Sequence, residues 1–193
     1  LAVGVAAIVG TAIGLIAGYA RGWVGQALVA AVDLMLAFPA LLLALMVVAL
    51  LGPGLRTLGL AVGIAGIPTY ARLVRSLVLS LRSALYIEAA QSLGASPLRI
   101  LLRHLLPGVL TPVLALGTLD IGRAILNVAG LGFLGLGAAP PLAEWGLMLY
   151  DGRQYLASAP WTSTLPGLAI TLTVLGATLL GDALGEGREP RRR

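Results

Sequence analysis

Along the chain, apolar runs long enough to cross a bilayer alternate with short breaks of Arg, Gly and Pro. A hydrocarbon core about 30 Å thick takes about 20 apolar residues of helix. On that measure the pattern predicts about five crossings: Leu1 to Ala20, Gln26 to Leu51, Thr57 to Leu79, Gly108 to Val128 and Trp161 to Leu180. Arg21-Gly22 closes the first and Gly52-Pro53-Gly54 the second. Pro68 lies inside the third, where the missing backbone donor predicts a kink. Two stretches depart from this rhythm, a charged and punctuated block at 82–107 and a loop rich in Gly, Pro and aromatic residues at 131–160.

Composition gives the same class. Of 193 residues 59% are apolar and 11% charged, too little polar surface to cover a soluble core, so the fold class is all-α integral membrane. The 26 glycines would weaken a soluble helix, but in lipid small residues let backbones approach. With no cysteine, disulfides, thiolate metal ligands and a Cys nucleophile are excluded. All 13 Lys or Arg positions are Arg, and the net charge is +5. A basic chain can bind nucleic acid, but these arginines sit at loop edges and helix ends, as in the charge bias that orients membrane proteins. No nucleic-acid partner is expected.

If the crossings alternate, Arg21, Arg72, Arg75, Arg82, Arg99, Arg103 and the tail Arg188, Arg191, Arg192 and Arg193 share one side, with Arg56 and Arg153 on the other. The excess puts the 82–107 block and the C-terminus in the cytoplasm and the 131–160 loop outside. The chain opens inside an apolar run with no Met and no basic segment before it. It therefore reads as one transmembrane domain, 1–193, truncated at its N-terminus.

The cytoplasmic block has the signals of two short helices meeting at a corner. Ser83 to Leu93 forms the first, broken by Gly94. Ser96 and Pro97 supply the N-cap and first position of a second, running through His104 and ended by Pro107 before the next crossing. Gly94 implies a positive φ or a close approach. Ala89 and Ala90 leave a low patch beside Glu88, while Leu93, Leu98, Ile100, Leu101 and Leu102 offer apolar contact to a partner or to the bundle. A purely structural loop would explain the caps, but less well why the turn is so heavily specified. Arg82, Arg99 and Arg103 suit partner carboxylates or anionic lipid.

In the external loop, the Gly-rich start closed by Pro140-Pro141 is a poor crossing and reads as re-entrant or interfacial. Trp145, Tyr150, Tyr155 and Trp161 suit a headgroup belt, or contact with an external partner or solute. At membrane depth, Asp120 and Arg123 are spaced i,i+3 with Asn127 on the same side. They line a polar pathway, or else form a buried structural pair or subunit contact. Asp33 lies nearer an interface. His104, the one imidazole, has no ligand set, so no metal site is expected. Nor does any Ser–His or paired-Asp arrangement indicate catalysis. A secondary transporter without an ATPase partner is the alternative, with Asp120 as its coupling carboxylate, although no inverted repeat is apparent.

The block also resembles the EAA motif of permeases in binding-protein-dependent ABC importers: Glu-Ala-Ala, three residues, Gly, nine residues, Ile-x-Leu-Pro. Glu88, Ala89, Ala90, Gly94, Leu106 and Pro107 match it. His104 stands at the Ile position, a departure that resembles the oligopeptide, dipeptide and nickel branch. Segments 17–45, 67–96, 131–156 and 158–184 are similar to the second permease of such importers. The resemblance implies a permease-like helix bundle, with six crossings in a complete subunit, in a bacterial or archaeal plasma or inner membrane. It implies as partners a second permease, two cytoplasmic ATPases that hold ATP and Mg, and an external solute-binding protein, with short peptides or a nickel complex as cargo. By the same resemblance Glu88, Ala89, Ala90, Gly94, Arg99, Arg103, His104 and Pro107 couple to the ATPase. The chain has no Lys and no phosphate-binding Gly-rich loop, so it is expected to hold no nucleotide or other cofactor itself.

Overall fold

A computed structural model describes residues 1–138 and 141–186. Pro140 and the tail arginines Arg188, Arg191, Arg192 and Arg193 lie outside the described residues. The helices are α1 (Ala2–Tyr19), α2 (Trp23–Leu36), α3 (Ala40–Leu51), α4 (Leu55–Leu81), α5 (Leu85–Ser92), α6 (Pro97–Ile100), α7 (Leu106–Leu131), α8 (Trp145–Gly152) and α9 (Trp161–Glu186). Among the described residues four helical runs are long and apolar enough to cross a membrane: Ala2–Tyr19, Leu55–Leu81, Pro97–Leu136 and Trp161–Ala183. Helices α2 and α3 qualify as a pair bent by 95°.

The centre of the bundle is the seam between α1 and α4. Ala2, Ala6, Gly10, Gly14 and Gly18 recur every fourth residue and form one buried stripe on α1. A Cβ on Gly10 would come within 2.5 Å of Tyr70 Cβ, on Gly14 within 2.6 Å of the Ala71 carbonyl oxygen, and on Gly18 within 2.7 Å of Val78 Cβ. Absent side chains thus set the interhelical distance, as expected where van der Waals packing replaces the hydrophobic effect. The register also fixes direction. Leu1 lies against Gly59, Gly10 against Ile67 and Tyr70, and Gly18 against Arg75 and Val78, so the two helices run parallel.

Parallel α1 and α4 require the chain to return between them, and α2 and α3 make that return as one broken crossing. The expected continuous helix from Gln26 to Leu51 is therefore corrected. Proline pushes the residue before it out of the helical region, and the chain breaks at Phe38-Pro39, with Pro39 at φ −56°, ψ 133°. In contrast, α4 remains one helix through the buried Pro68.

Helix α7 runs antiparallel to α4, with Gly108 beside Leu81, Gly117 near the Tyr70 hydroxyl and Leu131 clustered with Leu58. Helix α9 is antiparallel to α7, since Gly181 meets Leu119 and Gly122 meets Val174 and Thr178. The ends of α1, α4 and α9 and the α5–α6 block accordingly share one side of the bundle. Arg21, Arg82, Arg99 and Arg103 are at that end, and Arg56 is at the other.

The expected stop at Pro107 does not occur. Helix α6 passes through a π-turn at Leu101–Leu105 directly into α7, with Pro107 in its first turn. The ladder already changes register there, so a residue without an N–H is tolerated.

Candidate functional site

The α5–α6 corner is held by its own backbone. Gly94 has φ +77°, the left-handed region that favours glycine, and a Cβ there would meet nothing within 4 Å. The requirement is thus conformational, and the close-approach option is removed. Gly94 N–H donates to the Gln91 carbonyl at 2.9 Å and Ala95 N–H to the Ala90 carbonyl at 3.0 Å, both bonds of a Schellman cap. Ser96 then opens α6, its Oγ accepting from Arg99 N–H at 3.4 Å, with Pro97 in the first turn.

Two side chains attach this corner to the bundle. Ile87 and Ile100 are 0% and 1% exposed and cluster with Val74, Val78 and Leu105. His104 is half-buried and stacks on Tyr86, ring centroids 6.5 Å apart, tying α5 to the π-turn. Its Nδ1 is buried without a hydrogen-bond partner among the described residues. Of the leucines assigned to either a partner or the bundle, Leu101 packs against the core cluster, while Leu93, Leu98 and Leu102 project outward at 88%, 65% and 54% exposure. Glu88, Ala89, Gly94, Arg99, Arg103 and Pro107 are exposed and Ala90 is half-buried. The arrangement presents an apolar, charge-rimmed tip on a braced support.

Asp120, Arg123 and Asn127 come together. All three line a cleft of about 100 Å³ with Thr69 of α4 and residues of α1 and α3. Arg123 Nη1 is 3.6 Å from Asp120 Oδ1. The pair is not buried as a unit, since the Asp120 side chain is 18% exposed and that of Arg123 70%. Sequence reading missed the group that fixes Asp120: the Tyr70 hydroxyl, on a fully buried ring, donates to Asp120 Oδ2 at 3.2 Å. Their separation of 50 residues leaves no local signal. Asp33 is spent on Arg72 at 3.0 Å.

A larger, mainly apolar cavity of about 840 Å³ lies toward the Arg56 end, bounded by Leu55, Arg56, Val128, Glu144 and Trp145. It shares Ala2, Val3 and Ala124 with the polar cleft. The loop that borders it is ordered by Glu144, whose carboxylate accepts from Gly146 and Leu147 N–H at 2.8 Å each and caps α8. Gly135 turns with φ +82° beneath the Tyr150 ring. The Arg153 guanidinium stacks on that ring at 3.7 Å, so Tyr150 packs within the loop. Trp145, Tyr155 and Trp161 stay 41%, 50% and 59% exposed.

Residues 10–193 match the family model described as "Binding-protein-dependent transport system inner membrane component". The chain belongs to that family. It is 47% identical over 188 residues to a dipeptide transport system permease protein, DppC, of Alkalihalophilus pseudofirmus, covering 97% of this chain and 62% of the relative. It is 45% identical over 184 residues to the glutathione transport system permease protein GsiD of Pectobacterium atrosepticum, covering 95% and 61%. To GsiD of Escherichia coli it is 46% identical over 190 residues, covering 98% and 63%. The chain thus spans under two thirds of the length of these relatives. Family and apolar helices together make it a multi-pass, all-α membrane protein of the permease type.

Proposed function

We propose that this chain is a permease subunit of an ATP-driven importer for short peptides, working in a bacterial plasma or inner membrane. The observation that carries the reading is the α5–α6 tip. A corner locked by a Schellman cap and an N-cap, and anchored through Ile87 and Ile100, exposes Leu93, Leu98 and Leu102 beside Glu88, Arg99 and Arg103. Apolar surface of that kind on one end of a membrane bundle suits insertion into a partner's groove, and its rigidity lets displacement pass to the helices instead of dissipating in a loop. The partner is a cytoplasmic ATPase, present as two subunits that hold ATP and Mg. The π-turn carries the same backbone straight from α6 into α7, so movement of the tip reaches the helix that bears Asp120, Arg123 and Asn127. A second permease completes the path, and an external binding protein delivers the solute.

The relatives named for dipeptide and for glutathione transport are nearly equally similar to this chain, which supports a short peptide as cargo. A secondary transporter working alone is not favoured, because the family is described as the inner membrane component of a larger transport system. The test is purification of the subunit from its native membrane, followed by ATPase assay with dialanine or glutathione and the external binding protein. Recovery with a second permease and two ATPase chains, and hydrolysis stimulated by loaded binding protein, is the expected result. Recovery as a lone protein without any ATPase would overturn the reading.

A further inference from the structure

Arg123 occupies an unusual position for a charged residue. Tyr70, its neighbour through Asp120, is 15 residues from the start of α4 and 11 from its end, or about 22 Å and about 17 Å at 1.5 Å per residue. The Tyr70–Asp120–Arg123 group is therefore near mid-membrane. At that depth a guanidinium is too costly to leave in lipid and faces water or protein. Yet the Arg123 side chain is 70% exposed on this subunit. The wall of α7 that carries it is consequently turned to a solute path or to another subunit.

The donor geometry favours a ligand. Arg123 makes one ion pair among the described residues, at 3.6 Å to Asp120 Oδ1, longer than a charge-assisted hydrogen bond. Asp120 is directed elsewhere as well, with its second oxygen taken by the buried Tyr70 hydroxyl. Tyr70 and Asp120 thus set the base of the guanidinium and reduce its net charge while most of its N–H groups remain free. A planar fork of free donors matches a carboxylate in two-point geometry. Thr69 and Asn127 add neutral polar groups to the same cleft of about 100 Å³, room for one end of a peptide and not for a whole one.

Resting on the importer reading above, we infer that Arg123 is a specificity-determining group inside the path that takes a carboxylate of the passing peptide, with Asp120 and Tyr70 as its positioning residues. The carboxylate is that of the C-terminus or of an acidic side chain. Between solutes Asp120, 3.6 Å away, balances the Arg123 charge.

The experiment uses the assembled complex in proteoliposomes with its binding protein, and dialanine and glutathione as probes. R123Q is expected to lower uptake at least tenfold while the ATPase chains still copurify and hydrolysis is still stimulated, and R123K to recover part of the loss. Loss of the second permease from R123Q complexes would overturn the inference in favour of a subunit contact, and unchanged uptake would overturn it outright. Phenylglyoxal labelling, mapped by mass spectrometry, gives an independent measurement. Arg123 should be modified from the aqueous phase, and at least threefold more slowly with millimolar dialanine but not with dialanine amide. Absence of labelling, or equal protection by both, would contradict a carboxylate site. If the wild-type complex hydrolyses ATP but imports neither probe, the peptide-importer reading fails, and the labelling result still decides the site.

Discussion

The α1–α4 seam and the α5–α6 corner are both rigid, by opposite means. The seam is built by removing side chains: Gly10, Gly14 and Gly18 bring two backbones together and leave no surface over. The corner is built from backbone hydrogen bonds at Gly94, Ala95 and Ser96, with two isoleucines as anchors, and most of its side chains remain unused. The first solution suits a permanent interface inside one subunit. The second suits a surface that must keep its shape while a separate molecule engages it.

The contrast is tested most severely in the seam. A Gly14→Leu substitution drives its Cβ to 2.6 Å from the Ala71 carbonyl oxygen, a backbone clash that exceeds the roughly 1–3 kcal/mol of ordinary overpacking. Gly4→Leu adds the same side chain where nothing lies within 4 Å. Size-exclusion profiles in detergent should show the first lost to aggregation and the second recovered at wild-type yield. Equal yields would mean that the seam is not set by its glycines.

A smaller effect is expected at the corner. Gly94→Leu has room for its side chain but places a branched residue at φ +77°, a local cost of roughly 1–2 kcal/mol. Insertion and helix content should be unchanged while uptake falls and ATPase activity no longer tracks it, with Gly94→Asn closer to wild type because Asn tolerates the left-handed region. Normal uptake by Gly94→Leu would sink the coupling assignment. Ser96→Ala removes one long hydrogen bond of 3.4 Å, and the change belongs at the low end of the about 0.5–2 kcal/mol of N-cap losses. Hydrogen exchange at Arg99 N–H should quicken severalfold with uptake nearly intact, and no change there would show that the cap does not brace α6.

The same contrast explains what could be read from the sequence. The corner was legible because Gly94, Ser96 and Pro97 each act on their own backbone within a few residues. Four of the five expected apolar stretches lie in helices long and apolar enough to cross a membrane, and the parallel course of α1 and α4 fits the predicted alternation. The break at Pro39 was missed because the flanking runs are apolar enough to read as one crossing. Pro107 was over-read, since a π-turn offers proline a place inside a continuing helix. The seam did leave a signal, small residues at 2, 6, 10, 14 and 18, although spacing alone does not name the helix they face. For the Asp120 group, i,i+3 spacing showed the pair but not Tyr70, which arrives through tertiary packing of α4 on α7.

The α5–α6 tip is proposed above to seat in a groove of an ATPase. The most direct measurement is quantitative copurification of a Leu93→Arg subunit, which places a charge on a side chain already 88% exposed and so leaves the fold undisturbed. The subunit should be recovered at normal yield with its second permease but with the ATPase chains largely lost. Retention of the ATPase at wild-type stoichiometry would contradict it.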